Sequence, residues 1–191
     1  MNTNPDRKTQ LLDAAIAVLG KDGARGLSYR TVDAEAGVPL GTTSNYFRNR
    51  ATLLGEVGRR IYERLWPSTD DLEVARRHRP SRKRLITLMQ ELVRRIEDKR
   101  ELYLAFLELR LEATRTPELY TPLADVLRRD FADNLTFHLS AKLPGGEREI
   151  ALLVTAMTGL IVDRLTMPDV VPIGDVDRFI ATLVERLVPL R

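Results

Sequence analysis

The sequence predicts an all-α fold, because apolar residues recur at the i, i+3, i+4, i+7 spacing of helices along nearly its whole length. It contains no persuasive stretch of alternating apolar and polar residues, and no hairpin dipeptide between β-branched runs. Cysteine is absent among the 191 residues, which excludes disulfides, thiolate metal sites and cysteine nucleophiles. We expect about nine helices, in a chain long enough for one substantial core or two small ones.

Four of these helices are expected before residue 67. The first begins near Pro5 and ends between Gly20 and Gly23, while Ser28 has the hydroxyl that caps a second helix. Gly37 ends the second helix, and a proline after Trp66 ends the fourth, since the residue before proline is pushed out of the α region. The four are predicted at about 5–20, 28–36, 40–47 and from 50 or 51 to 65.

The remainder of the chain is expected to begin with a polar, basic linker over 67–80, followed by five helices. For the basic residues of this linker, a solvated hinge is favoured over direct phosphate contact. Pro122 is expected to start one helix, and the break Pro144-Gly145-Gly146 to precede another. The apolar stripes lie within 85–96, 102–111, 122–139, 147–165 and 176–187.

Residues 28–47 have the pattern of a helix-turn-helix, which is two short helices joined by a tight turn that contains glycine. Gly37 can adopt the left-handed backbone conformation that turns the chain. The helix that follows carries hydroxyl and amide groups rather than the Glu and Lys of a structural surface helix, and such groups can bond base edges in a major groove. The side chains expected to contact DNA there are Thr42, Thr43, Ser44, Asn45 and Tyr46.

Residues 11–54 resemble the N-terminal signature of the TetR family of transcriptional regulators. The resemblance implies that the second and third helices contact an operator and that the fourth begins with a basic residue on a phosphate. It adds Ser28, Tyr29, Arg30 and Arg50 to the expected DNA contacts. The matching residues are Ala36-Gly37-Val38, Gly41-Thr42, Tyr46-Phe47 and Arg50-Ala51-Thr52-Leu53-Leu54.

Three departures from the family pattern limit what the resemblance implies. Pro39 replaces the customary serine before the recognition helix, so the usual cap hydroxyl is missing. Ser44 replaces a tyrosine, and Arg50-Ala51 stands where lysine and an acidic residue are usual. The basic residue on a phosphate is retained, whereas the operator sequence cannot be carried over from relatives.

Structural alternatives accompany these expected contacts. Tyr29 and Tyr46 could instead pack beside Phe47, and Arg30 and Arg50 could be solvated helix charges. At the level of function, the alternative is a helical, dimeric coactivator or adaptor of the same fold without DNA binding of its own. The two are separated by whether the chain binds duplex DNA in a saturable, salt-dependent way.

The last two helices predict a homodimer, because they are too apolar for surface helices of a monomer of this size. Pairing them across a two-fold axis would form a four-helix interface and match two operator half-sites about 34–36 Å apart, or a multiple of that. Gly159 would allow close approach of the backbones. The alternative is that both stripes face the core of their own lobe. The expected interface residues are Leu153, Met157, Leu160, Ile161, Phe179, Ile180, Leu183 and Leu187.

An unknown small-molecule inducer is expected within the C-terminal lobe, where it would move the fourth helix and disfavour DNA binding. Arg110 and His138 are the candidates for a polar contact to it, although a histidine satisfied within the fold is the more common case. The candidate pocket residues, which mix apolar walls with few polar groups, are Tyr103, Phe106, Leu107, Arg110, Phe131, Leu135, His138 and Met157.

Charge and motif content favour a DNA-binding protein over an enzyme. Residues 1–66 hold ten Lys or Arg and seven Asp or Glu, so the net charge of +3 lies in this part. The two histidines are far apart, and neither a phosphate-binding glycine loop nor metal-ligand spacing occurs, so we expect no catalytic residues, cofactor or metal. We expect a cytoplasmic protein without membrane partners, since the longest apolar stretch, 150–162, is shorter than the ~20 residues of a membrane span.

From these patterns, three segments are predicted. Residues 1–50 form the helix-turn-helix DNA-binding domain, residues 51–80 the connecting helix and basic linker, and residues 81–191 the helical ligand-sensing and dimerisation domain.

Overall fold

The computed structural model describes residues 4–188, except for the side chains of residues 69, 75 and 76. All regular structure in this described part is helical, which confirms the all-α prediction. The helices are α1 (Pro5–Gly26), α2 (Tyr29–Glu35), α3 (Thr42–Tyr46), α4 (Arg50–Leu65), α5 (Thr69–Arg77), α6 (Arg82–Asp98), α7 (Arg100–Ala113), α8 (Pro117–Ser140), α9 (Glu147–Thr166) and α10 (Val176–Leu187).

One compact unit contains the described residues up to Trp66 together with Lys99–Asp130. Its central helix is α1, which packs against α2, α4 and α7 because its apolar residues occupy most of its circumference. Leu11 and Leu19 of α1 are buried with Val32 of α2 and Leu53 of α4 in one hydrophobic cluster. Burying a leucine side chain of this kind contributes about 1.5–3 kcal/mol, so the cluster fixes α2 and α4 on α1.

The second compact unit contains Pro67–Asp98 and the described residues from Phe131 onward. Here α6, α9 and α10 pack against one another. Two ion pairs link these helices, from Arg164 Nε to Glu97 Oε1 at 2.5 Å and from Arg94 Nη2 to Asp177 Oδ2 at 2.7 Å. The buried apolar residues of this unit include Leu85, Val93, Ile96, Ile150, Leu153, Ile180 and Val184.

Several predicted helix limits are wrong. The expected linker over 67–80 contains α5, which is capped by Ser68 Oγ accepting from the Asp71 amide, so ten helices rather than about nine occur in the described residues. The helix α8 begins at Pro117 and contains Pro122, because Pro117 already occupies the first helical position that proline favours. The first helix continues past a kink at Gly23, where φ is 67°.

The grouping of helices into units does not follow the boundaries at residues 50 and 80 that the sequence suggested. The helix α7 and the first part of α8, up to Asp130, belong to the same unit as the N-terminal helices. The predicted segments 1–50, 51–80 and 81–191 therefore stay a prediction about function. In the part of the chain that the structure describes, no helix combines the length and hydropathy that crossing a membrane would require.

Candidate nucleic-acid interface

The turn between α2 and α3 depends on two glycines with positive φ. Gly37 has φ 64° and Gly41 has φ 90°, a region that other residues seldom adopt. A Cβ at Gly37 would meet nothing within 4 Å, so the requirement there is backbone conformation and not space. The amides of Gly37 and Val38 donate to the carbonyls of Ala34 and Asp33 at 3.1 and 3.0 Å. The left-handed Gly37 that the sequence predicted is confirmed.

Ser28 caps α2, as predicted. Its Oγ accepts a hydrogen bond from the Thr31 amide at 3.1 Å, and the Ser28 amide donates to Thr31 Oγ1 at 2.8 Å. This reciprocal capping box satisfies two amide groups that the first helical turn leaves unpaired. The Ser28 hydroxyl thus has a structural role in addition to the DNA contact that the family resemblance implies.

The carboxylate of Asp33 joins α2 to α3, a role that the sequence analysis missed. Asp33 is only 1% exposed, and its Oδ2 accepts from the Gly41 amide at 2.7 Å. Its Oδ1 accepts from the Thr43 amide at 2.8 Å and from Thr43 Oγ1 at 2.5 Å. Because Gly41 has no side chain to cap α3 and Pro39 lacks the customary hydroxyl, Asp33 supplies the capping acceptor from the preceding helix.

The expectation that Thr43 faces outward to DNA is corrected by these contacts. Its side chain is completely buried, and its hydroxyl donates to Asp33. The signal for this pairing in the sequence was an acidic residue beside Val32 on the core face of α2, since a carboxylate buried there needs donors. Thr43 therefore anchors α3 to α2 and has no exposed surface that a base could contact.

The remaining candidates on α3 are accessible. Ser44 and Asn45 are exposed, and Thr42 and Tyr46 are half-buried. The Thr42 hydroxyl donates to the Pro39 carbonyl at 2.5 Å, and the Ser44 hydroxyl donates to the Gly41 carbonyl at 2.8 Å. Each hydroxyl has therefore used its hydrogen within the turn, but it keeps lone pairs that can accept from a base.

The tyrosines take part in packing. Tyr29 and Tyr46 both contact the hydrophobic cluster, and Tyr29 Oη donates to the Phe47 carbonyl at 2.8 Å. Burial raises the pKa of the Tyr29 phenol above its ordinary value. The alternative of packing beside Phe47 thus holds for Tyr29, while Arg30 on the same helix is exposed.

Arg50 begins α4, and its guanidinium bonds to other parts of the same unit. Nη1 donates to Glu112 Oε1 and Nη2 donates to the Ala24 carbonyl, both at 2.6 Å. The hydrogen bond from Arg50 holds the pKa of the Glu112 carboxyl below its ordinary value. These hydrogen bonds of Arg50 tie α1 and α7 to the start of α4. The Arg50 side chain is still 39% exposed, and its contact with a phosphate stays a prediction.

The eight residues expected at a dimer interface divide into two groups. Leu153, Met157, Leu160, Ile161 and Ile180 are buried in the core of their own unit, as the alternative reading proposed for these stripes. This corrects the choice of side chains, because a residue that the monomer already buries has no apolar surface left to offer a partner. The other three expected residues, Phe179, Leu183 and Leu187 of α10, are half-buried. Two further residues of α9, Leu152 and Gly159, are exposed.

The expected pocket residues are distributed over both units. Tyr103 and Phe106 are buried with ring centroids 6.2 Å apart, Leu107 is half-buried and Arg110 is exposed. In the other unit, Phe131 and Leu135 are half-buried, and His138 and Met157 are buried. The pocket stays a prediction.

His138 is satisfied within the fold. Its Nε2 lies 2.9 Å from the Pro144 carbonyl, and because a carbonyl only accepts, Nε2 carries the hydrogen. Burial lowers the pKa of His138 below its ordinary value, so the neutral ring is favoured. Nothing in the described part of the chain groups three or more His, Cys, Asp or Glu side chains as a metal site would need.

The fold and this surface define a class, the helix-turn-helix proteins with a larger helical remainder. Comparison with known families agrees, because residues 80–190 match the model described as "Tetracyclin repressor-like, C-terminal domain". The chain belongs to the TetR family of transcriptional regulators.

A curated relative and two solved structures illustrate the likeness. The HTH-type transcriptional regulator BetI of Paraburkholderia phymatum is 30% identical over 74 residues, which span 39% of this chain and 38% of BetI. A TetR family member from Streptomyces coelicolor A3 is 26% identical with a TM-score of 0.73, covering 97% of this chain and 100% of that one. The multidrug binding protein EbrR complexed with ethidium is 25% identical with a TM-score of 0.70, covering 96% and 99%.

Proposed function

We propose that this regulator is a ligand-responsive repressor that binds a palindromic operator as a homodimer. The observation that carries the proposal is the Asp33 anchor, which holds α3 in one orientation with Ser44 and Asn45 exposed. A helix of five residues is too short to be stable alone, so a preformed anchor lowers the ordering cost of binding. An adaptor without DNA binding would have no need of this anchored, polar surface.

Base contacts and phosphate contacts fall to different side chains in this proposal. Thr42, Ser44, Asn45 and Tyr46 contact base edges, while Arg30 and Arg50 bind phosphates. The positive net charge of residues 1–66 supports approach to a polyanion. Phosphate contacts set the affinity and its salt dependence, whereas each good base contact contributes about 1–3 kcal/mol of discrimination.

A homodimer through α9 and α10 is supported by the exposed side of these helices. A Cβ at Gly159 would meet nothing within 4 Å, so this glycine leaves space at the surface for another backbone to approach. Leu152 on α9 is exposed, and Phe179, Leu183 and Leu187 on α10 are half-buried. A two-fold partner would cover these apolar surfaces and supply the second recognition helix.

The ligand proposed here is a small organic molecule. EbrR, which is similar over nearly its whole length, is described in complexes with ethidium, malachite green and proflavin. We propose that a bound ligand of this kind favours a state of the protein that fits DNA less well. Such coupling is reciprocal, so operator DNA must weaken ligand binding by the same factor.

The test is a binding titration of the full chain at two salt concentrations. Duplexes enriched by selection from a random pool are compared with an unselected duplex. We expect saturable binding that favours the selected duplexes, with an affinity that falls steeply as salt rises. An adaptor would show no saturable, salt-dependent binding to any duplex, and this result would contradict the proposal.

A further inference from the structure

Leu40 is a large apolar side chain that the fold leaves in water. It is 71% exposed and lies in the turn that leads into α3, two residues before Thr42. It therefore contributes almost nothing to the hydrophobic core of its unit. An isolated exposed leucine is ordinary on a protein surface, but this one adjoins the helix proposed to enter the major groove.

The backbone on both sides of Leu40 is fixed. The Pro39 carbonyl accepts from the Thr42 amide at 3.2 Å and from the Thr42 hydroxyl at 2.5 Å. On the other side, the Gly41 amide donates to the buried Asp33 carboxylate at 2.7 Å. The pyrrolidine ring of Pro39 restricts φ as well. The turn thus fixes the backbone that carries the Leu40 side chain, so little backbone entropy is lost when this side chain meets a ligand.

The hydroxyl groups that follow Leu40 in the sequence restrict which bases can be bound near it. The hydroxyls of Thr42 and Ser44 donate to carbonyls of the turn, so they have only lone pairs to offer to DNA. Lone pairs can accept from adenine N6 or cytosine N4, whereas guanine presents only acceptors in the major groove. Leu40, Thr42 and Ser44 therefore offer DNA one large apolar side chain and two hydroxyl oxygens that accept hydrogen bonds.

We propose that Leu40 is a specificity residue that contacts the 5-methyl group of a thymine in each operator half-site. Thymine is the natural base that places an apolar group in the major groove, and covering that methyl with Leu40 removes apolar surface of both partners from water. This inference rests on the proposed function, because it requires α3 to lie in the major groove. It adds an apolar contact to the contacts proposed for the hydroxyl and amide groups of α3.

The experiment replaces thymine by deoxyuridine in a duplex selected with the full chain. Deoxyuridine lacks the 5-methyl group and keeps every hydrogen-bonding group, so a change in Kd reports the methyl contact alone. Each thymine of the half-sites is replaced in turn, with wild-type protein and the Leu40→Ala variant. For wild type we expect about fourfold weaker binding at one thymine per half-site, the effect of one apolar carbon group at about 0.8 kcal/mol.

The Leu40→Ala variant should bind the thymine and deoxyuridine duplexes equally well. Leu139→Ala is the matched control, because Leu139 is 53% exposed on α8, and it should discriminate as wild type does. Thermal unfolding of all three proteins checks that they fold alike. Equal wild-type binding to every substituted duplex would overturn the inference, as would discrimination retained by Leu40→Ala or a selected operator without thymine. Failure to select any duplex would instead overturn the proposed function.

Discussion

Thr43 and Asp33 form the most buried polar pair of the helix-turn-helix. Both side chains are almost inaccessible, and the Thr43 hydroxyl is one of three donors to the carboxylate. Thr43→Val keeps the shape and removes that donor, so we expect the free energy of unfolding to fall by about 1–3 kcal/mol. Urea denaturation measures the change.

Ser44→Ala is the control for this substitution, because Ser44 is exposed and its hydroxyl donates only to the Gly41 carbonyl. We expect a change within about 0.5 kcal/mol, as for surface substitutions in general. If both variants were equally stable, Thr43 would not anchor α3.

The ion pair between Arg50 and Glu112 allows the two roles of Arg50 to be separated. Because Arg50 is 39% exposed, solvent screens the pair, and a double-mutant cycle of Arg50→Ala and Glu112→Ala should give a coupling below about 1 kcal/mol. On binding DNA, Arg50→Ala should reduce the salt slope by about one, while Glu112→Ala should leave it unchanged. Equal salt slopes in wild type and Arg50→Ala would show that Arg50 binds no phosphate.

The same ion pair has a pH dependence of known sign. The pKa of Glu112 is lowered in the folded protein, chiefly by the hydrogen bond from Arg50. The stabilisation that ionised Glu112 contributes is therefore fully present above the ordinary carboxyl pKa. It is lost as the pH falls through the lowered pKa of Glu112 in the folded protein. The coupling energy from the double-mutant cycle should vanish in strongly acidic solution.

His138 should make stability depend on pH in a different range. Since burial lowers its pKa, the unfolded chain binds more protons than the folded chain just below the ordinary histidine value of 6.5. Stability then falls as the pH drops below that value, by at most about 1.4 kcal/mol per pH unit. His138→Gln can still donate to the Pro144 carbonyl but cannot titrate, so we expect a flatter profile of unfolding free energy against pH.

The control for this measurement is Ser140→Ala, which replaces an exposed residue of the same helix and removes no titratable group. It should follow the wild-type profile. A His138→Gln profile that coincides with that of wild type would contradict the proposed titration of the buried ring.

Among the helices, α9 and α10 decide the oligomeric state in the proposal. Gly159→Arg adds a bulky charge where the monomer has open space, so the unit should still fold while close approach of a second copy is blocked. We expect sedimentation to show a monomer that binds the operator much more weakly. Ser140→Arg, at an exposed position on α8, should remain dimeric. A dimeric Gly159→Arg protein would place the interface elsewhere.

The helix α3 illustrates how an element can depend on its neighbours. Its five residues have little intrinsic helical stability, and its N-terminus is capped by a carboxylate on α2. The sequence indicated where this helix lies, since Gly37 marks the turn. It did not indicate the cap, because Asp33 meets Thr43 only after the chain has reversed direction.

For the whole molecule, ligand and operator should compete through their coupling. A compound found by its increase of the unfolding temperature binds the native state more than the unfolded state. We expect such a compound to raise the Kd for the operator by the same factor by which the operator raises the Kd for the compound. Calorimetric titrations in both orders measure the two factors. A compound that stabilises the protein without changing its operator affinity would not be the inducer.

Local features were determined by the sequence itself. The helical class, the Ser28 cap, the left-handed Gly37 and the limits of α4, α9 and α10 follow from contacts between residues a few positions apart, which any such segment makes for itself. Tertiary structure alone decided that Thr43 turns inward and that the apolar stripe of α9 faces its own core. It also decided that Arg50 meets Glu112, 62 positions away. The physical reason is that burial and charge pairing depend on partners brought together only by folding, whereas helix periodicity and turn conformation do not.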